Sequence, residues 1–336
     1  NSSTFKGKYG VTLSGTKQLT EVKRQGDDSE ILKVATVMRE EDKSYIPKQS
    51  IGDFKVEKNQ AEFAKQFQES VAKNEDSVLI VATNNERIVF NKLARQAKFG
   101  PNRTVLENGE KLISLSNSNS FANSEMFEVV RFVDEPIKET ITLTFGKGTS
   151  KETTSDYTMY IAYGFNVKGE DETILHFPDI DKPSVYHAQI LEGLEKNPRL
   201  YDMFNDDRLI MSTRKGLKLN PLIVVSTYGY AITGHKSQGS QWKKVFVKQN
   251  YVAPTWNAAR WFYTAVTRAS DEVIVSPTSS NFQLTSEEID SKFEKATEVL
   301  VPINEGENSL GMSVGDFLKE MTIEQKRKFW ELRRNG

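Results

Sequence analysis

The feature that most limits how this sequence can fold is a short strand pattern enclosed by two amphipathic helix patterns. Val78–Thr83 is a run of apolar and β-branched residues, typical of a strand that is buried on both faces. Phe63, Phe67 and Val71 recur at helical spacing before it. A second helical pattern follows it and stops at Gly100. Strands separated by helices of this size predict a parallel sheet with crossover helices.

The pattern changes between residues 103 and 175, where Thr, Ser, Asn, Val and aromatic residues dominate. Short alternating runs such as Ile141–Phe145, separated by turn signals that contain glycine, predict a small antiparallel β module. A helical stretch around Ser184–Lys196 closes it. We expect the α/β pattern to resume at Leu222–Val225, so that one α/β domain is interrupted by a β-rich insertion.

The remaining chain continues this alternation. Strand patterns at 245–247 and 273–275 enclose a helix pattern at 257–267. Two further helix patterns follow Pro277, and the last of them begins near Ser313.

Composition excludes several functional classes. The 336 residues carry 45 Lys+Arg against 46 Asp+Glu, a net charge of −1, so any nucleic-acid binding must depend on local residues. The sequence has no cysteine, which excludes a disulfide scaffold, a thiol nucleophile and thiolate metal sites. This composition fits a reducing compartment, and we expect a cytoplasmic protein. The apolar runs are far shorter than the ~18 residues that a membrane span needs, so no membrane partner is expected.

Three stretches imitate the phosphate-binding P-loop, whose pattern G-x-x-x-x-G-K-[ST] places a lysine directly after the second glycine. The stretch 10–17 has Thr16 before the lysine, and 229–237 has one extra residue there. The stretch 146–149 lacks the upstream glycine. The sequence therefore contains no credible primary nucleotide cradle.

The densest polar cluster is Thr233–Gln241, which lies between two apolar strand patterns. Its hydroxyl, imidazole, ammonium and amide groups stand beside glycines, and such groups suit phosphate oxygens. A polar loop with a helix cap is the alternative interpretation.

A second cluster, Trp261–Ala269, has aromatic residues that we interpret as core because they lie on a helix flanked by strands. Arg268 falls where that helix ends and a strand begins, and we expect it at the edge where open α/β sheets bind ligands. A solvated or ion-paired arginine is the alternative. His176 and His187 lack metal-ligand spacing, so we interpret both as structural, and we expect no metal ligands in this chain.

At these clusters the sequence resembles a known family. It resembles motifs V and VI of superfamily 1 helicases at residues 230–247 (YAITGHKSQGSQWKKVFV) and 261–275 (WFYTAVTRASDEVIV). It also resembles motif IV at 18–25 (QLTEVKRQ) and motif IVa at 78–95 (VLIVATNNERIVFNKLAR). The similarity is greatest to the 5′-to-3′ branch that includes RecD and the phage Dda helicase. Four motifs in the right order make this a specific signal.

The resemblance implies an α/β fold: a RecA-like parallel sheet with helices on both faces and an inserted β-rich SH3-like barrel. The helix patterns after Pro277, which resemble no family, add a helical C-terminal tail. The second RecA-like domain would occupy 1–100 and 221–280. The β-rich module, with a helical projection, would occupy 101–220, and a C-terminal helical extension 281–336. The chain would then be the C-terminal half of a helicase, whose P-loop we expect in an N-terminal RecA-like domain outside this sequence.

The resemblance also implies roles for individual residues. Arg24 and Arg268 would reach the γ-phosphate of ATP. Gly239 and Gln241 would approach the nucleotide, although Gln241 replaces the usual acid. Contacts to single-stranded DNA are implied for six residues with small polar or cationic side chains: Thr83, Asn84, Thr233, His235, Lys236 and Ser237.

The implied function is an ATP-dependent DNA helicase that translocates 5′ to 3′ on single-stranded DNA and uses ATP with Mg²⁺. Its expected partners are single-stranded DNA and the N-terminal RecA-like domain of the same protein, and a monomer is favoured. This chain alone is expected to hydrolyse no ATP. Two alternatives stay open, namely a nucleic-acid-binding helicase remnant without ATPase activity and an RNA helicase of the same superfamily.

Overall fold

The structure is a computed structural model. It describes residues 29–299 apart from positions 102, 104–105, 150, 167–168, 183–184, 186, 198–209, 214–215, 221, 250–254 and 278–281. Two expectations lie outside the described residues: motif IV with Arg24, and the helix predicted to begin near Ser313.

The first described segment alternates helices with short strands. Its elements are α1 (Glu30–Glu41), β1 (Tyr45–Pro47), β2 (Phe54–Val56), α2 (Gln60–Ala72), β3 (Ser77–Val81) and α3 (Asn84–Phe99). Ser29, Asn59 and Thr83 cap the three helices, because each side chain accepts a backbone N–H of the first turn. Gly100 ends α3 with a φ of 97°, as the sequence predicts.

The middle segment forms the β module, which we define as residues 106–228. Its elements are β4 (Glu110–Ser114), β5 (Met126–Phe132), β6 (Ile137–Phe145), β7 (Thr153–Asn166), β8 (Asp171–His176), α4 (His187–Glu195), β9 (Ile210–Thr213), β10 (Gly216–Leu219) and β11 (Ile223–Tyr228). Five strands pair in the order β4, β11, β8, β7 and β5, and β5 pairs again with β4. β6 pairs with β7 beside this closed ring, and β9 and β10 form a hairpin. A closed ring of pairings is a property of barrels.

Strand β11 corrects an expectation. We expected Leu222–Val225 to return to the α/β sheet, but β11 lies in the β module, parallel to β8 and antiparallel to β4. Every residue of β11 is buried, because Ile223 and Val225 pack into one hydrophobic cluster and Val224 into another. A strand buried on both faces has the same sequence pattern in either setting, so the pattern alone could not assign its sheet.

The last described segment completes the α/β sheet. Its elements are β12 (Ala231–Thr233), a 3₁₀ turn (Gly234–Ser237), β13 (Trp242–Lys248), α5 (Thr255–Val266), β14 (Ala269–Ser276), β15 (Phe282–Leu284) and α6 (Ser286–Val299). Strands β12, β3, β13, β14 and β2 form one parallel sheet in that order. β3 belongs to the first described segment and lies between β12 and β13 of the last one. The sheet therefore needs strands from both of these segments. The predicted mixed α/β fold with a parallel sheet is confirmed. We call this sheet, its helices and β1 and β15 the α/β unit.

Helices cover both faces of the sheet. One face packs on α1, α5 and α6 through a cluster that includes Ile31, Phe262 and Ile289. The other face packs on α2 and α3 through Phe63 and Phe90, and this second cluster continues into the β module. The shared cluster holds the β module against the α/β unit, and the candidate site lies at their junction.

Candidate nucleic-acid interface

Two of the helicase-like motifs meet at the carboxyl edge of the parallel sheet. β3 and β12 are neighbouring parallel strands, with Val81 paired to Thr233. The chain that leaves β3 carries Thr83 and Asn84, and the chain that leaves β12 continues as the polar loop, which we define as residues 233–241. Open α/β folds bind ligands outside the carboxyl ends of their strands, so this edge is a candidate ligand site.

Thr83 and Asn84 are held at this edge by the first turn of α3. The exposed Thr83 accepts the backbone N–H of Glu86 with its hydroxyl oxygen at 3.3 Å, which is the helix cap. The half-buried Asn84 accepts a hydrogen bond from Nε of Arg87 on its Oδ1 at 3.1 Å. Helix formation therefore fixes where both residues stand.

The polar loop begins with a 3₁₀ turn that leaves His235 exposed to solvent. Ser237 is buried and its hydroxyl donates to the carbonyl oxygen of Gly234 at 2.7 Å, so in this structure Ser237 supports the turn. A side chain at Gly234 would place its Cβ 2.3 Å from Nε1 of Trp261. Glycine is therefore required where the turn crosses α5.

A pocket of about 370 Å³ lies between the α/β unit and the β module at this edge. It brings together four of the six residues predicted to contact DNA: Asn84, Thr233, His235 and Lys236. The other two do not line it. The α/β unit also contributes Ala82, Arg87 and Ile232, and the β module contributes Ile113, Leu115, Asn123, Ser124, Ile180, Lys182 and Thr227.

Three cationic residues line the pocket, namely Arg87, Lys182 and Lys236. The buried Arg87 donates from Nη1 to Oγ1 of Thr227 at 3.0 Å and from Nη2 to the carbonyl oxygen of Ile180. Nζ of Lys236 donates to Oδ1 of Asn123. Burial lowers the pKa of Arg87 to about 10, and burial with the charge of Arg87 lowers the pKa of Lys236 to about 8. No Asp or Glu is among the described residues that line this pocket, so it favours an anion such as phosphate.

Sequence reasoning missed Arg87 and the individual β-module residues that line the pocket, although it expected the β module to cover or guide the strand. Arg87, Asn91 and Arg95 recur every fourth residue on α3 and are all buried. Nδ2 of Asn91 donates to the carbonyl oxygen of Ala231 at 2.9 Å, and Arg95 pairs with the buried Glu110. A polar stripe at helical spacing was therefore the signal that pointed to this junction.

Arg268 lies at the opposite, amino edge of the sheet. It directly precedes β14, and Gln241 directly precedes β13, whose first residue pairs with Ala269. Our expectation of the ligand-binding carboxyl edge was wrong, because a residue between a helix and the following strand lies at the amino end of that strand. Nε of Arg268 donates to the carbonyl oxygen of Thr264 at 3.0 Å, and Nη1 donates to that of Ser240 at 3.4 Å.

The polar loop connects the two edges. Gly239 and Gln241 are exposed and flank Ser240, so the structure brings both predicted nucleotide contacts next to Arg268. His235, at the other end of the loop, also lines a second pocket of about 300 Å³ that includes Arg260 of α5. One continuous segment therefore runs from the candidate strand site to the edge that carries Arg268.

Other site classes receive no support from the described residues. Among them, no group of three or more histidine or acidic side chains could hold a metal ion. His176 and His187 each have a serine hydroxyl 3.1 Å from a ring nitrogen, Ser226 and Ser116 respectively, consistent with structural roles. In the part of the chain that the structure describes, no helix has the length and apolar character needed to cross a bilayer.

Comparison with protein families gives one match. Residues 228–276 match the family described as UvrD-like helicase C-terminal domain. The matched range includes the polar loop and Arg268, and it runs from Tyr228, the last residue of β11, to the end of β14. This match supports the interpretation of the chain as the C-terminal half of a superfamily 1 helicase. A search of curated proteins found no match to the chain.

Solved structures similar to this chain include two Pif1 helicases. Pif1 from Candida albicans gives a TM-score of 0.37 at 13% identity, with 82% of this chain and 60% of that chain covered. Bacteroides Pif1 in complex with ADP-AlF3 and ssDNA gives a TM-score of 0.36 at 14% identity, with 84% of this chain and 56% of that chain covered. The chain thus spans little more than half the length of these helicases. At these scores the likeness carries no argument about fold or function.

Proposed function

We propose that this chain is the C-terminal motor half of an ATP-dependent DNA helicase of the RecD/Dda-like branch, which moves 5′ to 3′ on single-stranded DNA. One observation carries the proposal: Asn84 and His235, from two separate helicase-like motifs, line one cation-rich pocket at the carboxyl edge of the sheet. The match of residues 228–276 to the UvrD-like helicase C-terminal domain supports the helicase part of this proposal.

In this proposal the carboxyl edge binds the strand through phosphates and sugars. Of the residues that the motifs imply, Thr83, Asn84, Thr233, His235 and Lys236 contact the strand, whereas the buried Ser237 supports the turn that carries His235 and Lys236. Their hydroxyl, amide, imidazole and ammonium groups suit phosphate and sugar oxygens and read no base identity. A translocase needs this indifference, because it must bind every sequence that it crosses.

In the same proposal, residues at the amino edge of the sheet contact ATP. Arg268 contacts the γ-phosphate together with Arg24, and Gly239 and Gln241 approach the nucleotide. Phosphoryl transfer spreads negative charge over the γ-oxygens, and arginines that neutralise this charge contribute roughly 10³–10⁵ in rate in related NTPases. In this proposal these residues contact only one end of the nucleotide. The P-loop and the Mg²⁺ ligands belong to the N-terminal RecA-like domain of the same protein, so this chain alone hydrolyses no ATP.

The polar loop couples the two edges. When Arg268 is attracted to a γ-phosphate held by the other domain, the cleft between the domains closes, and the loop transmits that movement to His235. Hydrolysis removes the attraction and the cleft opens. We further propose that the β module is an SH3-like barrel lying against the strand, and that the helicase works as a cytoplasmic monomer.

Strand binding and ATP hydrolysis test the proposal separately. Anisotropy of a labelled single-stranded oligonucleotide of about 16 nucleotides should show salt-dependent binding to this chain. A protein extended to include the P-loop domain should hydrolyse ATP when the strand is added, whereas this chain should not. Ordinary turnover by this chain alone, or no strand binding, would contradict the proposal.

The alternatives give different outcomes in the extended protein. Strand binding without hydrolysis would indicate a helicase remnant, and stimulation by RNA alone would indicate an RNA helicase. Displacement of a duplex from a 5′ tail, with none from a 3′ tail, tests the direction of movement.

A further inference from the structure

The pocket at the carboxyl edge has a property that phosphate binding does not require. Five aliphatic side chains line it: Ala82, Ile113, Leu115, Ile180 and Ile232. They come from both sides of the junction, since the α/β unit supplies Ala82, directly after β3, and Ile232 of β12, while the β module supplies the other three. Ile113, Ile180 and Ile232 are only 1–2% exposed and belong to the hydrophobic core, whereas Ala82 and Leu115 are half-buried and give the pocket an accessible apolar surface. The lining therefore suits a ligand with an apolar part.

The rest of the pocket suits an anion. Arg87 is only 5% exposed, and its guanidinium is fixed by hydrogen bonds to Asn84, Thr227 and the carbonyl oxygen of Ile180. Lys236 and Lys182 bring a second and a third cation to the same pocket. The carboxylates of Asp179 and Asp181 lie close enough to favour the charged form of Arg87, but neither residue lines the pocket. No carboxylate among the described residues that line the pocket therefore competes with a ligand for these cations.

We infer, on the basis of the proposed function, that this pocket takes one nucleotide of the strand turned out of the base stack. Its base lies against the aliphatic side chains, and its phosphate lies at Lys236 and Arg87. The volume of about 370 Å³ is at the lower end of the roughly 300–1,000 Å³ of small-molecule sites, which suits a single nucleotide. The β module is then one wall of the strand site.

This arrangement agrees with a strand site that ignores sequence. Aliphatic contact with a base needs no hydrogen-bond donor or acceptor, so all four bases can be accepted. A single-stranded substrate has no base pair to break, so turning out one base costs less than it would in a duplex. Insertion of a base into the pocket would hold the strand between translocation steps, whatever the identity of that base.

The test compares two oligonucleotides that have the same phosphates. One is a thymidine strand of about 10 nucleotides, and the other has the same length but abasic sugars throughout. The full chain should bind the thymidine strand about tenfold more tightly. Leu115→Ala on the β-module wall and Ala82→Leu on the sheet wall should each reduce this ratio to near one. Leu222→Ala is the matched control, because Leu222 is 55% exposed and outside the pocket, and it should keep the full ratio.

Each outcome decides between the claims. Equal affinity for the two strands in the unchanged chain would overturn the inference while leaving the proposed function standing. A ratio that survives both pocket variants would place base contact elsewhere and overturn it as well. Displacement of the thymidine strand by an equal concentration of free thymidine monophosphate would assign a mononucleotide site instead. No binding of either strand would overturn both the inference and the proposed function.

Discussion

Lys236 lies beside Arg87 at the junction of the α/β unit and the β module, and burial with the charge of Arg87 lowers the pKa of Lys236 to about 8. Two like charges in one pocket are unfavourable, and although Asp179 and Asp181 favour the charged form of Arg87, no Asp or Glu is among the described residues that line the pocket. Perturbed cations gathered in a pocket are a feature of functional sites. The relationship therefore points to phosphate binding, and it makes the binding sensitive to pH.

Raising the pH from about 7 to about 9 should weaken strand binding by roughly three- to tenfold, because Lys236 loses its proton and its attraction for phosphate. A bound phosphate favours the charged form, so the midpoint in the complex should lie above that of the free protein. Lys236→Arg keeps its charge over this range and should remove the decline. Anisotropy at constant ionic strength measures the affinity for the strand at each pH. Equal declines in the unchanged chain and in Lys236→Arg would show that Lys236 does not cause the pH dependence.

Arg95→Met should lower the free energy of unfolding by about 3–5 kcal/mol, because Glu110 would be left buried without its cation. Arg95 Nη2 lies 3.0 Å from Oε2 of Glu110, and the hydroxyl of Tyr230 donates to Oε1 at 3.0 Å. Adding Glu110→Gln should recover most of the loss, since no buried charge would remain. Urea denaturation gives these values, and a double variant no more stable than the single one would disprove this explanation.

Gly234→Ala should destabilise the protein by about 1–3 kcal/mol and weaken strand binding, because the new Cβ would overlap the indole of Trp261. Trp261→Phe removes the Nε1 edge that the Cβ would meet. The double variant should therefore bind the strand better than Gly234→Ala alone, with Trp261→Phe as the control. If the double variant binds no better, the contact between the turn and α5 does not position the polar loop.

Arg268→Ala should lower ATP hydrolysis by about 10³ in a protein that includes the P-loop domain, while nucleotide binding stays mostly intact. Arg268→Lys should recover little, because an ammonium cannot reproduce the forked guanidinium contacts. Single-turnover hydrolysis and binding of a fluorescent nucleotide separate the two effects. Equal losses in binding and hydrolysis would contradict the role assigned to Arg268.

The helices and the parallel sheet could be predicted from sequence because the spacing of their apolar residues repeats within a short stretch of chain. Phe63 and Phe67 mark one buried helical face, and Val78–Val81 shows the unbroken apolar run of a central strand. Chain order alone also placed Arg268 before β14, so its position at the amino edge was available from sequence.

Other features depend on tertiary packing that no local pattern shows. β11 pairs with β4 and β8, and its run of buried residues would look the same in the α/β sheet. Arg87 lines the pocket because the β module brings Thr227 and Ile180 to it, and both lie far away in sequence. The aliphatic wall of the pocket also depends on tertiary packing, because the α/β unit and the β module both contribute residues to it.

The most direct measurement is the affinity of this chain for single-stranded DNA in two variants, one at each edge of the sheet. His235→Ala, at the carboxyl edge, should weaken binding about tenfold or more. Arg268→Ala, at the amino edge, should change it by less than about twofold. A loss caused by Arg268→Ala that equals or exceeds the loss caused by His235→Ala would show that the strand does not bind where β3 and β12 end.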